Sequence, residues 1–429
     1  MTGLWLSPEQ LEGIAGNFER ELSKGLAEDG GMVKALPTFI TKLPAGTEKG
    51  AYLVVDLGGS NLRVGCVLLH GDSTFSLDRL KWTLTSELQN ATGPRLFDFI
   101  AASVKEYIEK SAMRNKLADW PPRLGFTFSY PVRQERLAHG VLIQWNKAIN
   151  CHDVVGQDVV VLLEEALDRA GLGTIKVGAL LNDTVGTLVA HAYVDADTRI
   201  GVILGTGTNA AYAASPSSIP KLQNIHRHTS AQDQDAMIIN TEWGAFGDNQ
   251  PSYLPLTEAD RKIDLESNNP RAQLFEKMVS GMYLGELCRL TLMELHSDMM
   301  MGADGPPFEL DAADLSIIAT GGPEAIRDIA RRKLHIKNPD EFLIKETCHL
   351  VVQRSARLCA AALIGLYRSM GSPKRRIVAA FDGSLYEHYP GYPELLREAL
   401  DELEPGHSLI AQIAKDESMV GAAAVLAIH

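Results

Sequence analysis

Two apolar runs in this chain end in the same way. YLVVDLGGSNLRV, residues 52–64, passes through Asp56 to Gly58, Gly59, Ser60 and Asn61, with Arg63 just beyond. IGVILGTGTNAAYAA, residues 200–214, passes to Gly205, Thr206, Gly207, Thr208 and Asn209. After each tip the chain stays apolar or small, as a returning strand does, and the spacing fits neither GxGxxG nor GxxxxGK[ST]. Each stretch therefore predicts a β-hairpin with a glycine-rich tip. Gly58 and Gly59 can adopt positive φ and let backbone N–H groups approach an anion, while Ser60 adds a hydroxyl and Arg63 a charge. A third run, RIVAAFDGSLYEHYP at 376–390, stops at Gly383 and Ser384. Tandem hairpins of this kind, with a late glycine turn, predict two related α/β halves holding a nucleotide between them.

That is the pattern of the two-lobed actin-like ATPase (ribonuclease H-like) fold, an α/β architecture with a deep cleft between a small and a large domain. The small domain is expected at 51–183 together with a C-terminal helix at 416–429. Residues 1–50 and 184–415 would form the large domain. The hairpins would clamp the β- and γ-phosphates from opposite sides, and the turn at Gly383 would face the adenosine.

Composition narrows the partners. The chain has 429 residues, 45% of them apolar, enough for two cores. A net charge of −13 argues against nucleic acid or an anionic membrane surface, so phosphates must be held by local dipoles and a few placed cations. Five scattered cysteines without CxxC spacing fit a reduced, cytoplasmic setting and give no metal ligands. No signal peptide is expected; SPEQLEGIAGNFERELSKGL reads as an amphipathic helix with Ser7 as cap, Pro8 at its first position and Gln10 completing a capping box. LCAAALIGLY, residues 358–367, is too short to span a bilayer and is expected as a buried helix.

Between and after the hairpins lie the polar residues with chemical capacity. RLGFTFSYP, 123–131, alternates like a strand and brings Ser129 to its end. LIQWNKAIN, 142–150, carries Asn146 and Lys147. VGALLNDTVGT, 177–187, delivers Asn182 and Asp183 to a strand end, where open α/β sheets place ligands. An Asn-Asp pair there can bind two hydroxyls and take a proton from one, or simply make a turn. MIINTEWGAFGD, 237–248, holds Glu242, and NNPRAQLFEKMVSGMYLGELCRL, 268–290, holds Glu276 near a helix start, where an acid also suits the helix dipole.

In order, LVVDLGGSNLRV, LGFTFSYP, LLNDTVGT, ILGTGTNAAY, INTEWGAFGD, QLFEKMVSGMYLGEL and FDGSLYEHYP resemble the hexokinase family from about residue 50 to the end of the chain, in its eukaryotic, fungal-like form. The resemblance implies transfer of a phosphoryl group from ATP, with Mg²⁺ on the nucleotide, to the 6-hydroxyl of an aldohexose by a cytoplasmic monomer or homodimer. It implies Asp183 as general base and Lys147 as a catalytic cation. Ser129, Asn146, Lys147, Asn182, Asn209, Glu242 and Glu276 match sugar contacts. Asp56, Gly58, Gly59, Ser60, Asn61 and Arg63 match the first phosphate loop, Gly205, Thr206 and Gly207 the second, and Gly383 and Ser384 the adenosine turn. Phosphoryl transfer suits such a set, because the protein mainly aligns oxygens and stabilises spread charge.

The chain also departs from the family pattern. Asn146 replaces a threonine before Lys147, and Ala148, Ile149 and Asn150 alter the sugar lid. In KDESMVGAAAV, 415–425, Glu417 and Met419 replace two turn glycines on the adenine side, which predicts a weakened hold on the base. Three readings follow: a kinase of glucose or a related hexose, a kinase of N-acetylglucosamine that uses the altered lid, and a non-catalytic sugar sensor.

Overall fold

The computed structural model describes residues 3–112, 116, 122–145, 148–224, 236–303, 305–414 and 418–429. Thirteen strands are found among them. β1 (Leu36–Pro37) lies near the start of the chain, and β2 (Lys49–Leu57), β3 (Asn61–His70) and β4 (Phe75–Thr83) form a meander. β5 (Arg123–Phe128) follows, then a ribbon of β6 (Val132–Arg133) and β7 (Val141–Leu142), then β8 (Lys176–Leu181). The second half holds β9 (Thr198–Leu204), β10 (Thr208–Ala214), β11 (Met237–Asn240), β12 (Ile377–Asp382) and β13 (Leu409–Ile413). They assemble into a five-stranded sheet, β4-β3-β2-β5-β8, and a six-stranded sheet, β1-β11-β10-β9-β12-β13. In the first, β2 runs antiparallel to β3 but parallel to β5, and β5 runs parallel to β8. In the second, β9 is antiparallel to β10 and parallel to β12. Both glycine-rich stretches are therefore hairpins, as their apolar flanks predicted.

Strands with helices on both faces read as continuous apolar runs rather than alternating ones, and LVVDL in β2 is such a run. Leu53, Val55 and Leu57 face the helices Gly93–Lys110 and Val159–Arg169, against Phe97, Ile100 and Leu163. Val54, with Val67 and Leu181, faces the opposite way, toward Val185 and Leu188 of the helix Asp183–Val194 and Val420 and Ala423 of the helix Ser418–Ile428. Ala211 and Ile238 of the six-stranded sheet join that same cluster. These two helices are thus a shared middle layer. Gly186 and Gly421 let them touch backbone to backbone, since a side chain on Gly421 would collide with the Gly186 carbonyl. The far face of the six-stranded sheet packs on the helices Pro8–Ala27 and Glu341–Ser369 through residues such as Phe18, Val202, Tyr212 and Leu358.

The N-terminal helix carries the expected capping box, with Ser7 and Gln10 exchanging bonds and Pro8 in the first turn. All five cysteines are free and buried. Two expectations change. The apolar run at 358–367 belongs to a 29-residue helix, long and apolar enough to cross a membrane by length and composition, but most of it is buried inside the protein. Met419, read as a turn residue, lies inside the helix Ser418–Ile428. It is 1% exposed in the middle layer, and its Cε lies 3.0 Å from where a side chain on Gly65 would begin. Glu417, the other replacement named above, lies outside the described residues.

Met419→Ala should cost about 2–5 kcal/mol of stability, because the cavity it leaves sits between two helices and a strand that are already in contact. Denaturant unfolding would measure this. A loss below about 0.5 kcal/mol, the usual range for surface substitutions, would show that the site is not packed as described.

Candidate active site

The parallel pairing of β2, β5 and β8 aligns their C-terminal ends, and the predicted polar residues of the first half sit along that edge. Leu57 pairs with Phe128, and Thr127 with Leu181, so the Gly58 tip, Ser129 and the Asn182–Asp183 pair emerge side by side. Asn182 caps the middle-layer helix, its side-chain oxygen accepting the Thr184 N–H at 2.9 Å. Asp183 is the first helical residue, and its Oδ1 accepts the same N–H at 2.8 Å. An acid in that turn complements the helix dipole. Ser129 is 4% exposed and donates its N–H to the Leu57 carbonyl at 3.2 Å. The neighbouring Tyr130 phenol is pushed well above its usual range, first by burial and then by the charge of Asp183.

The first tip is tied down by its surroundings. Gly58 N–H bonds the Asn61 carbonyl at 3.0 Å, and the Gln89 side chain donates to the Gly59 carbonyl at 3.0 Å. Asp56 and Arg63 stand opposite each other across the hairpin and pair at 2.6 Å, with Asp56 2% exposed. The Arg63 charge, expected at a phosphate, thus also locks the hairpin. Ser60 at this tip, Thr206 at the second and Ser384 at the late turn are all exposed hydroxyls.

Strand register gathers the second set. β9 and β12 run parallel, so Gly205 and Gly383 leave the sheet at the same edge. Gly383 has φ 127°, and a Cβ there would stand 2.5 Å from the Leu204 carbonyl carbon; only glycine fits. Gly281 N–H bonds the Gly205 carbonyl at 2.8 Å, bringing in the start of the helix Gly281–Leu295. Gly58, Gly205 and Gly207 are not in the left-handed region, so Gly58 does not use the freedom it has. What Gly207 supplies is room, because its Cβ would lie 2.7 Å from Glu276 Oε2. That oxygen accepts the Thr208 N–H at 3.0 Å, so Glu276 braces the second tip.

Glu242 follows β11 in a left-handed turn, φ 52° and ψ 47°, and is 7% exposed. Such a conformation costs a non-glycine residue roughly 1–2 kcal/mol. Trp243 holds it there: the indole is fully buried against Phe18 and Phe275, and its N–H donates to Thr208 Oγ1 at 3.1 Å. Asn209 of β10 lies beside Glu242, its amide nitrogen 3.4 Å from Oε1.

Three residues at this site were not anticipated. Asn240 bridges Asn209 and Glu242. Gln273, φ 63° and 8% exposed, leads into the helix Leu274–Val279 that carries Glu276. Asp248 accepts the N–H groups of Gln273 and Leu274 at 3.0 and 2.9 Å and so fixes that helix start; burial raises its carboxyl above the usual range. A signal existed only for Asn240, a polar residue closing the apolar MII strand. Asn146 and Lys147 lie outside the described residues. Among the described residues no cluster of three or more His, Cys, Asp or Glu side chains could hold a metal ion.

The structure superposes on that of a hexokinase from Schistosoma mansoni complexed with glucose with a TM-score of 0.88 at 31% identity, covering 100% of this chain and 97% of the other. A second hexokinase crystal structure matches with a TM-score of 0.82 at 30% identity, covering 100% and 97%. The fold is that of the two-domain α/β sugar kinases.

Hexokinase family models match residues 1–193 and 199–428. Hexokinase-7 of Oryza sativa subsp. japonica is 39% identical over 98% of this chain and 94% of its own length. The glucokinase of Aspergillus niger is 38% identical over 95% and 91%. The chain belongs to the hexokinase family, and it is a hexose kinase.

Proposed function

We propose that this enzyme transfers the γ-phosphoryl group of ATP to the 6-hydroxyl of an aldohexose, glucose first, with Asp183 as the general base. One observation carries the reading: Asp183 opens the helix shared by both sheets, beside Ser129, with its carboxylate oriented by the Thr184 amide. From there it can accept the proton of a hydroxyl as the bond to phosphorus forms. Asn182, Ser129, Asn209, Glu242 and Glu276 supply hydrogen-bonding groups for a ring with several hydroxyls. Leaving Ser129, Asn182 or Glu242, the buried members of the set, without a partner would cost about 1–3 kcal/mol, which makes the site selective for a full set of hydroxyls.

The exposed hydroxyls at Ser60, Thr206 and Ser384, with the backbone of the two tips, are suited to the phosphates and adenosine. Mg²⁺ bound with the nucleotide neutralises the phosphate charge. Lys147, matched by the family motif, would add a cation near the reacting oxygen. Closure of the two domains on the sugar would exclude water and limit ATP hydrolysis.

An ADP-release assay across glucose, mannose, fructose, glucosamine and N-acetylglucosamine tests this reading. Turnover with glucose at least tenfold above that with N-acetylglucosamine is expected, since one well-matched group in a pocket is worth one to two decades. The N-acetylglucosamine reading rests on the lid around Asn146, and turnover favouring that sugar would establish it. Sugar binding without ADP release would overturn the kinase assignment.

A further inference from the structure

We propose that Asn240 is a positioning residue of the sugar site: it fixes the carboxylate of Glu242 and the amide of Asn209 so that both reach the sugar in one orientation. This inference rests on the reading of Glu242 and Asn209 as sugar contacts.

The placement follows from strand pairing. Ala211 of β10 stands opposite Asn240 at the end of β11, and the Thr241 N–H continues the ladder to the Ala210 carbonyl at 2.9 Å. Counting on, Asn209 is opposite Glu242 and diagonal to Asn240. Side chains alternate along a strand, so Asn209 and Asn240 share one face of the sheet, and Glu242, in the left-handed turn just beyond β11, is joined to both by hydrogen bonds. Asn240, 4% exposed, sits behind the other two.

Its amide is bonded at both ends. Nδ2 donates to Glu242 Oε1 at 2.9 Å, and Oδ1 accepts from Asn209 Nδ2 at 2.8 Å. Asn209 Oδ1 is taken by the Ala210 N–H at 2.8 Å. An ionised carboxylate only accepts, so the Asn240 nitrogen must face Glu242, and that choice also settles which way Asn209 is flipped. One oxygen of Glu242 is occupied by protein donors, while Oε2 has no bond among the described residues. The second Asn209 hydrogen is held loosely, at 3.4 Å from Glu242. A sugar hydroxyl therefore meets one acceptor oxygen and one donor hydrogen whose directions are already set. Glu242 sits in a strained left-handed turn, and this bond helps hold its side chain there.

Asn240→Asp gives a test that a packing role would not satisfy. The substitution keeps size and shape but places a second carboxylate against Glu242. Two such groups cannot both be charged at hydrogen-bond distance, so the last proton of the pair is held well above the ordinary carboxylate range. With that proton on the introduced carboxyl, the donor to Glu242 is restored; without it, the charges repel and Glu242 is displaced. The titratable groups on the surrounding elements, Glu276, Asp248, Lys277 and Asp183, are the same in both proteins, so any difference in pH profile belongs to the new pair.

Glucose KM and glucose binding by tryptophan fluorescence would be followed from about pH 5.5 to pH 8.5 in wild type and Asn240→Asp. At the alkaline end KM and Kd of the variant should exceed wild type by about tenfold to a hundredfold, the size of one uncompensated buried polar group. At the acid end they should return to within about threefold. Asn240→Ala should raise KM at every pH without recovery. The proposal is overturned by a wild-type KM for Asn240→Asp throughout, by a rise equal at all pH values, or by a wild-type KM for Asn240→Ala. Failure of both variants to fold would also overturn it, since Asn240 would then belong to the core and not to the site. A Glu242→Gln control separates the underlying reading: if that variant binds glucose like wild type, Glu242 is not a sugar contact.

Discussion

Asp183→Asn should lower kcat on the order of 10²-fold or more while leaving glucose KM within a few fold, because it removes general-base catalysis and little else. The substitution preserves shape. An asparagine oxygen can still accept the Thr184 N–H that now binds Asp183 Oδ1 at 2.8 Å, and the Asn182 cap of the same helix is untouched. What disappears is the oxygen proposed to take the sugar proton. The activity that remains would come from alignment of the two substrates. Steady-state kinetics with glucose and ATP measure the change, and glucose binding by fluorescence checks that the site persists. A kcat near that of wild type would remove Asp183 from its proposed role.

Gly383→Ala should act on the other substrate. A methyl group at φ 127°, 2.5 Å from the Leu204 carbonyl carbon and 2.7 Å from the Gly205 nitrogen, has nowhere to go. The turn must swing away from the second hairpin, and the two cease to form one surface. A strained backbone of this kind costs on the order of 1–3 kcal/mol of stability. A nucleotide that needs both elements should then show a KM for ATP at least tenfold higher, with each 1.4 kcal/mol of lost contact a factor of ten. Glucose affinity should hold, since Asp183, Glu242 and Glu276 lie on other segments. An ATP KM unchanged in a folded Gly383→Ala protein would detach this turn from the nucleotide site.

Much of this arrangement is legible in the sequence. Runs such as LVVDL and VGALL end abruptly in polar residues, and a buried parallel strand can do so only at its exit from the sheet. That is why Ser129, Asp183 and the hairpin tips were found from local pattern alone. Asn240 was not, because its meaning depends on a register with β10, some thirty residues earlier in the chain, that local pattern does not show. The tight space at Gly207 was hidden for a related reason: it lies beside Glu276, which comes from a distant helix. Met419 illustrates a third limit. SMVGAAAV is apolar all round, which marks a helix buried on every side, whereas the family motif read Met419 as part of a turn.

The middle layer has a bearing on how the chain is made. The Ser418–Ile428 helix fills the space between the two sheets, packed on β2, β3, β5 and β8 and against the helix Asp183–Val194. Every one of those partners leaves the ribosome long before it. Until residue 428 emerges, the inner face of the first sheet is covered only in part, by the helix Asp183–Val194, and Val54, Val67 and Leu181 stay poorly packed. Domains that fold as they are synthesised usually finish in order from the N-terminal side. Here the first sheet must wait for a helix made more than two hundred residues after its own last strand, so the nascent protein should remain dependent on chaperones until that helix has been synthesised.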